Sequence, residues 1–174
     1  PYFWIPADNL ATRVRRDHVP YDIWEQQGYI KTTEGNVVHY GFIEAFIEEL
    51  NTAYNIKEIA FDRWGAVQMV QNLEGMGFTV VPFGQGYKDM SPASKELMKL
   101  VLEKKVSHGG NPVLRWMMDN IYVKTDPAGN IKPDKEKSTD RIDGAVALIM
   151  ALDRAIRNGG YSGSVYDERG ILII

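Results

Sequence analysis

Apolar residues recur at three- and four-residue spacing at Ile43, Phe46, Ile47, Leu50 and Tyr54, while Glu44, Glu48, Glu49 and Asn51 fall on other faces. That spacing predicts an amphipathic helix ending near Asn55. IKEIAFD follows as a compact apolar strand terminating in Asp62. Val67, Val70 and Leu73 mark a second helix closed by Gly75 and Gly77, and FTVVPF reads as the next strand. Strand, helix, strand at this spacing is a βαβ unit, which requires parallel neighbours and a right-handed crossover.

The same reading extends to both ends. PYFWI is a short strand ended by Pro6, Asp8 is placed to cap a helix running to about Asp17, YDIWEQQ forms a short helix stopped by Gly28, and YIKTT is a strand before a Glu34-Gly35-Asn36 turn. Ser91-Pro92 reads as a helix start, with Leu97, Leu100 and Val101 as the buried stripe. HGGNP breaks that helix, Asn111-Pro112 opens VLRWMMDN, and IYVKTDPAGNIKPDK predicts a hairpin turning at Pro127-Ala128-Gly129-Asn130. A last helix is expected from Ser138 or Thr139 to an Asn158-Gly159-Gly160 stop, apolar on most of its circumference over Ala145–Leu152 and therefore deep in the domain. The tail from Tyr161 is rich in Gly and Ser before an apolar GILII end, which is expected to dock on the core or on another domain. The fold class is α/β with a mixed sheet in one domain, a size the 174-residue chain suits.

Composition narrows the chemistry. No run approaches the roughly 20 apolar residues that span a bilayer, so a soluble, non-secreted protein with no membrane partner is expected. The chain has no cysteine and only three histidines, His18, His39 and His108, far apart in sequence. Thiolate zinc sites, cysteine nucleophiles and histidine-rich metal sites are set aside, leaving carboxylate oxygens, which suit Mg²⁺ or Mn²⁺. Net charge is −3, yet residues 88–141 carry 11 basic and 8 acidic side chains, a middle that could meet phosphate or simply be a solvated face. The chain opens on Pro1 and passes at once into an apolar run, which reads as a piece of a longer polypeptide.

Two aspartates stand out. Asp62 lies at the carboxyl end of a parallel strand, where ligands of open α/β sheets gather, although taken alone it reads more readily as a cap of the helix beginning near Ala66. Asp143 leads the apolar helix, favourably near the positive end of its dipole, yet at risk of burial without a counter-charge, a cost that a divalent cation would answer. A strand-end and a helix-start aspartate can jointly hold Mg²⁺, and two such ions clamp the attacking and leaving oxygens of phosphodiester hydrolysis. Asp140, three residues before Asp143, is an auxiliary ligand if the helix already includes it. Lys132, Lys135, Lys137 and Arg141 cluster on the hairpin and its exit, where they could neutralise DNA phosphates, with a solvated loop interspersed by Asp134 and Glu136 as the alternative. His108 reads as a loop residue and Gly84 and Gly86 as a turn. Trp4, Trp24, Trp64 and Trp116 read as core, with Trp64 the exception if any stacks on a base.

The segments IAFDRWGA, VVPFGQG, HGGNPVLRWM, NIKPDKEKST and RIDGAVALIMAL, in that order and spacing, resemble the nuclease domain of the large terminase subunit of tailed bacteriophages. PYFWIPADNL and RRDHVPYDIWEQQGYI resemble it too, so the similarity runs to about Arg157. The resemblance implies a ribonuclease H-like mixed sheet flanked by helices, N-terminally incomplete, over residues 1–160, followed by a tail over 161–174. It implies a metal-dependent, two-metal endonuclease that cuts double-stranded viral DNA during genome packaging, in the cytoplasm of the infected or lysogenic bacterial host. The family's strand-end aspartate falls on Asp62 and that of its final helix on Asp143. A further aspartate on the family's first strand has no match, and Asp8 is not promoted to that role. Implied partners are double-stranded DNA, an upstream ATPase motor domain of the same polypeptide, the small terminase subunit and the portal protein. This chain has no G-x-x-x-x-G-K-[ST] loop of its own. The competing readings are a non-catalytic fragment or prophage remnant with an assembly or DNA-binding role and, more distantly, a junction resolvase or transposase.

Overall fold

The computed structural model describes residues 1–62 and 67–159. Helices and strands alternate as β1 (Trp4–Pro6), α1 (Leu10–Asp17), α2 (Tyr21–Gln26), β2 (Lys31–Thr33), α3 (Tyr40–Ala53), β3 (Ile59–Asp62), α4 (Val67–Gly75), β4 (Val80–Phe83), α5 (Tyr87–Leu102), α6 (Pro112–Asp119), β5 (Val123–Thr125), β6 (Ile131–Pro133) and α7 (Asp143–Arg157). The βαβ unit is present, with β3 and β4 parallel and Asp62 opposite Phe83. The single mixed sheet is not. Among the described residues the strands form three separate pairs, β1–β2 parallel, β3–β4 parallel and β5–β6 antiparallel. Trp64 and the tail from Gly160 lie outside the described residues.

Helix α7 organises the interior. Val146, Ile149 and Met150, with Ile142 just before the helix, join Phe83 of β4 and Met90, Ala93 and Leu97 of α5 in one buried cluster, against which Ala60 of β3 packs. A second cluster, Val19, Tyr21, Trp24, Ile30, Val113 and Met117, lies under α2 and α6. The two meet at Gly144, whose N–H points at Met117 Sδ, 3.0 Å away. A Cβ on Gly144 would sit 2.5 Å from Cε1 of the Phe3 ring and 2.8 Å from that sulfur. The glycine inside an otherwise good helix is therefore a close-approach residue, not a flexible one.

Several boundaries differ from the sequence reading, each for a local reason. α1 begins after Asn9, which adopts a left-handed conformation without capping through its side chain, so Asp8 is not the cap and gives its N–H to the Gly35 carbonyl instead. α5 begins at Tyr87, with the Met90 N–H already bonded to the Gly86 carbonyl, so Pro92 lies inside the helix. Ser91, read as a cap, turns its hydroxyl to accept the Ile131 N–H at 3.1 Å and so ties α5 to β6. α7 begins at Asp143 rather than Ser138 or Thr139, because Asp134 has captured the chain before it. The Asp134 carboxylate accepts the N–H groups of Glu136 and Lys137, and its carbonyl accepts from Ser138. Asn120 in turn accepts the Thr139 N–H and donates to the Arg141 carbonyl. Local side-chain bonds of this kind compete directly with helix. Burial opposes ionisation of Asp134, but those N–H groups and Lys124 outweigh it and hold the carboxyl below its usual range.

Among apolar stripes, Leu97 and Leu100 are buried, whereas Val101 and Tyr54 are exposed. On α3 the deepest residue is Glu44, whose two oxygens accept from Asn72 Nδ2 at 3.0 and 3.1 Å. The helix was expected to turn Glu44 outward, and the amide on α4 is what permits its burial. Trp24 is core as read, and Trp116 packs on Trp24 and Tyr21. Trp4 is half-buried against Phe46, beneath the Lys31 ammonium. The hairpin turn forms as read, with Gly129 at φ +76° and Asp126 holding both the backbone and the side chain of Asn130.

Gly144→Ala is expected to destabilise the fold by about 1–3 kcal/mol through overpacking, despite alanine's better helix propensity, and pairing it with Phe3→Ala should make the two changes non-additive. Urea melts of the two single variants and the double variant measure this. Glu58 accepts from Arg154 Nε at 2.6 Å, and that bond, followed by one from Asn158, holds its carboxyl below the ordinary 4.5. A depressed carboxyl binds its proton more weakly when folded, so its contribution is complete above the ordinary value and fades as pH falls through the depressed one. The stability gap between the parent and Glu58→Gln is therefore expected to close between neutral pH and pH values below 4.5 in thermal melts.

Candidate functional site

Asp62 and Asp143 come from different layers, and their relative placement follows from how β3 crosses α7. Glu58, just before β3, meets Arg154 in the last turn of α7, and Ala60 meets the cluster that contains Val146 and Ile142. The strand thus runs back along the helix toward its beginning. Four strand residues from Glu58 to Asp62 cover about 13 Å. Eleven helical residues from Arg154 back to Asp143 cover about 16 Å. Alternation puts Glu58, Ala60 and Asp62 on one face. Asp62, at the end of β3, therefore lies toward the start of α7, the helix that Asp143 leads.

Asp143 is paired with a lysine beyond β6, and Asp62 with an amide just beyond β4. Gln85 Nε2 donates to Asp62 Oδ2 at 2.7 Å, and the Gln85 carbonyl accepts from Lys132 Nζ at 3.2 Å. Lys135 Nζ donates to Asp143 Oδ1 at 2.9 Å. Asp143 is not buried: its side chain is 63% exposed, so the expected desolvation cost, and the argument for a cation built on it, do not apply. It stands in the first turn of α7, at the positive end of the helix dipole. Asp140 precedes the helix and accepts its neighbour's N–H from Arg141, which removes the shared helix face proposed for it. The cap reading of Asp62 depends on residues 63–66, outside the described residues.

The four basic candidates divide. Lys132 meets the Gln85 carbonyl, Lys135 meets Asp143, Lys137 lies 5.2 Å from the Tyr122 ring, and Arg141 lies 3.7 Å from Asp17. An open, polar cleft lined by Arg16, Asp17, Lys135, Asp140, Arg141 and Asp143 joins the hairpin exit to the end of α1. Among the described residues no three His, Asp or Glu side chains are grouped closely enough to hold a metal ion by themselves. No helix of the described residues is long and apolar enough to cross a membrane. His108 sits in the HGGNP turn, where its carbonyl accepts from Asn111 and where Gly109 and Gly110 have positive φ.

Sequence reasoning missed Gln85, read only as part of a glycine turn, and Asp17, read only as the end of a helix. Gln85 was visible as the one polar side chain between Gly84 and Gly86 immediately beyond β4, opposite the strand that ends in Asp62. Asp17 offered no comparable signal, because its partner Arg141 is remote in sequence.

The family described as terminase large subunit, endonuclease domain, matches residues 1–158. The large terminase subunit of Enterobacteria phage HK97 is 40% identical over 172 residues, 98% of this chain and 33% of that protein. Protein YmfN of Escherichia coli K12 is 33% identical over 162 residues, 90% of this chain and 36% of that protein. The crystal structure of the HK97 large terminase superposes with a TM-score of 0.80 at 42% identity, over 87% of this chain and 32% of that one. The chain thus spans about a third of the length of the curated relatives it matches. With its α/β architecture and these matches, the chain belongs to the endonuclease-domain family of the terminase large subunit.

Proposed function

We propose that this chain is a ribonuclease H-like, metal-dependent endonuclease domain that hydrolyses double-stranded viral DNA during genome packaging, with Asp62 and Asp143 as metal-binding catalytic residues. What supports the reading is that β3, which ends in Asp62, runs toward the start of α7, where Asp143 stands, and that Gln85 holds Asp62 while Lys135 pairs with Asp143. The donor set fits Mg²⁺ or Mn²⁺. Both donors are hard oxygens, and Mg²⁺ commonly binds through one or two carboxylates completed by water and substrate phosphate, so a third protein carboxylate is not required. Two bound ions would supply Lewis-acid polarisation of the phosphodiester and a water nucleophile at neutral pH.

The chain's own residues have distinct parts in this scheme. Asp143, exposed, offers its carboxylate to the cleft, and Lys135 balances its charge when no cation is present. Gln85 fixes the orientation of Asp62 through the 2.7 Å bond. Lys132, Lys135, Lys137 and Arg141 are positioned to neutralise backbone phosphates as the duplex enters. In the intact polypeptide the domain would act downstream of an ATPase motor, in an assembly with the small terminase subunit and the portal.

Nicking of supercoiled plasmid in Mn²⁺ tests the reading, with EDTA as control and thermal melts to confirm folding. Asp62→Asn and Asp143→Asn are each expected to abolish cleavage, and normal activity in either would sink the assignment. Gln85→Ala is expected to reduce cleavage by roughly 10–100-fold, the size usual for a group that orients a metal ligand. Absence of cleavage in EDTA-sensitive form from the parent chain, with duplex binding retained, is the outcome that favours a DNA-binding remnant.

A further inference from the structure

Asp17, the last residue of α1, gathers more partners than any role in the fold explains. Arg16 donates to it twice, Nε to Oδ1 at 2.5 Å and Nη2 to Oδ2 at 3.1 Å. The buried Tyr21 hydroxyl donates to Oδ2 at 3.3 Å, and Arg141 Nη2 stands 3.7 Å from the same oxygen. The Asp17 side chain is only 12% exposed, whereas the two arginines are 62% and 44% exposed. One nearly covered carboxylate thus holds two guanidiniums from opposite ends of the sequence at the surface.

Counting donors shows what that arrangement leaves open. A guanidinium carries five N–H groups in one plane. Arg16 directs two of its nitrogens at Asp17, and Arg141 is shared between the Asp17 carboxylate and the Tyr21 hydroxyl, so each still retains donors toward solvent. Arg16, Lys135 and Arg141 balance Asp17, Asp140 and Asp143 along this cleft, so what the two guanidiniums offer is planar donors to spare rather than an excess of charge. A phosphodiester, with one negative charge and two unbridged oxygens, is the complement. The place is also specific: Arg16 and Arg141 line the cleft that contains Lys135 and Asp143, and Arg141 precedes Asp143 by two residues. Arg16 draws the Asp17 carboxyl below its usual range, which keeps the anion at the centre ionised through neutral and mildly acidic pH.

The geometry points to Arg16 and Arg141, held by Asp17, as a seat for one backbone phosphate of a DNA strand entering the cleft at Asp143. Arg16 and Arg141 are the phosphate ligands, and Asp17 is a positioning residue that acts through them. This inference rests on the nuclease reading above, and adds to it an element, the end of α1, remote from the hairpin lysines.

Binding of a fluorescein-labelled duplex of about 25 base pairs, followed by anisotropy in EDTA over a series of salt concentrations, separates the phosphate seat from catalysis, the site size being an order-of-magnitude choice for a single domain. Arg16→Ala and Arg141→Ala are each expected to weaken binding about 3- to 10-fold and to lower the slope of log affinity against log salt by about one. Asp17→Asn supplies the sharper contrast. Removing a negative charge would tighten DNA binding if only net charge mattered, whereas a positioning role predicts weaker binding. In the Arg16→Ala, Arg141→Ala double variant, Asp17→Asn should then cause no further loss. Unchanged affinity and salt slope in both arginine variants, or tighter binding by folded Asp17→Asn, overturns the proposal; should Asp17→Asn fail to fold, the surface arginine variants decide. Plasmid nicking by the parent chain, run in parallel, keeps the two readings apart. Cleavage by the parent with wild-type binding in the arginine variants removes only the phosphate seat, while a parent that neither nicks nor binds DNA removes the nuclease reading and the seat together.

Discussion

Val146, Ile149 and Met150 of α7 can leave water only if β3, β4 and α5 close over them, and Phe83, Ala60, Met90 and Leu97 are the residues that do so. Each such side chain contributes roughly 1.5–3 kcal/mol when fully buried. That packing sets the direction of β3 along the helix, and the Arg154–Glu58 pair fixes its far end. Once the strand's course is set, the place of Asp62 relative to Asp143 is no longer adjustable. The placement of Asp62 at the strand end and of Asp143 at the helix start thus follows from core packing.

The segment between β6 and α7 takes up what the core leaves undetermined. Asp134 replaces a helical turn with a compact one, and Asn120 ties that turn to the end of α6. As a result Lys132, Lys135 and Arg141 point to three different partners, Gln85, Asp143 and Asp17, instead of following one another around a helix. A cluster that looks in sequence like one basic patch is a fan. Its members meet different partners, and substitution of one does not stand for the others.

Much of this was legible from residue order alone. The βαβ unit, the hairpin with its Gly129 turn, the Asn111 cap and the α7 core stripe all follow from local rules that tertiary contacts did not override. The strand-end position of Asp62 and the helix-start position of Asp143 were read from the same rules. What failed were readings in which a side chain had two competing partners. Ser91 looked like a cap but serves β6, Asp134 looked like loop solvation but consumes the start of a helix, and Glu44 looked exposed but meets an amide 28 residues away. Gln85 and Asp17 escaped notice for the same reason, since their importance lies wholly in groups brought near by folding.

The close approach at Gly144 also acts as a gauge. With no side chain there, the first turn of α7 rests directly on the edge of the Phe3 ring, so the gap between the N-terminal strand region and the helix is set by one hydrogen atom. Asp143 is the adjacent residue and moves with that turn. A side chain at 144 would have to displace the Phe3 ring, the Met117 sulfur or the first turn of α7 and Asp143 with it. Tolerance for substitution at this position is consequently governed by the spacing between two elements, not by helix propensity.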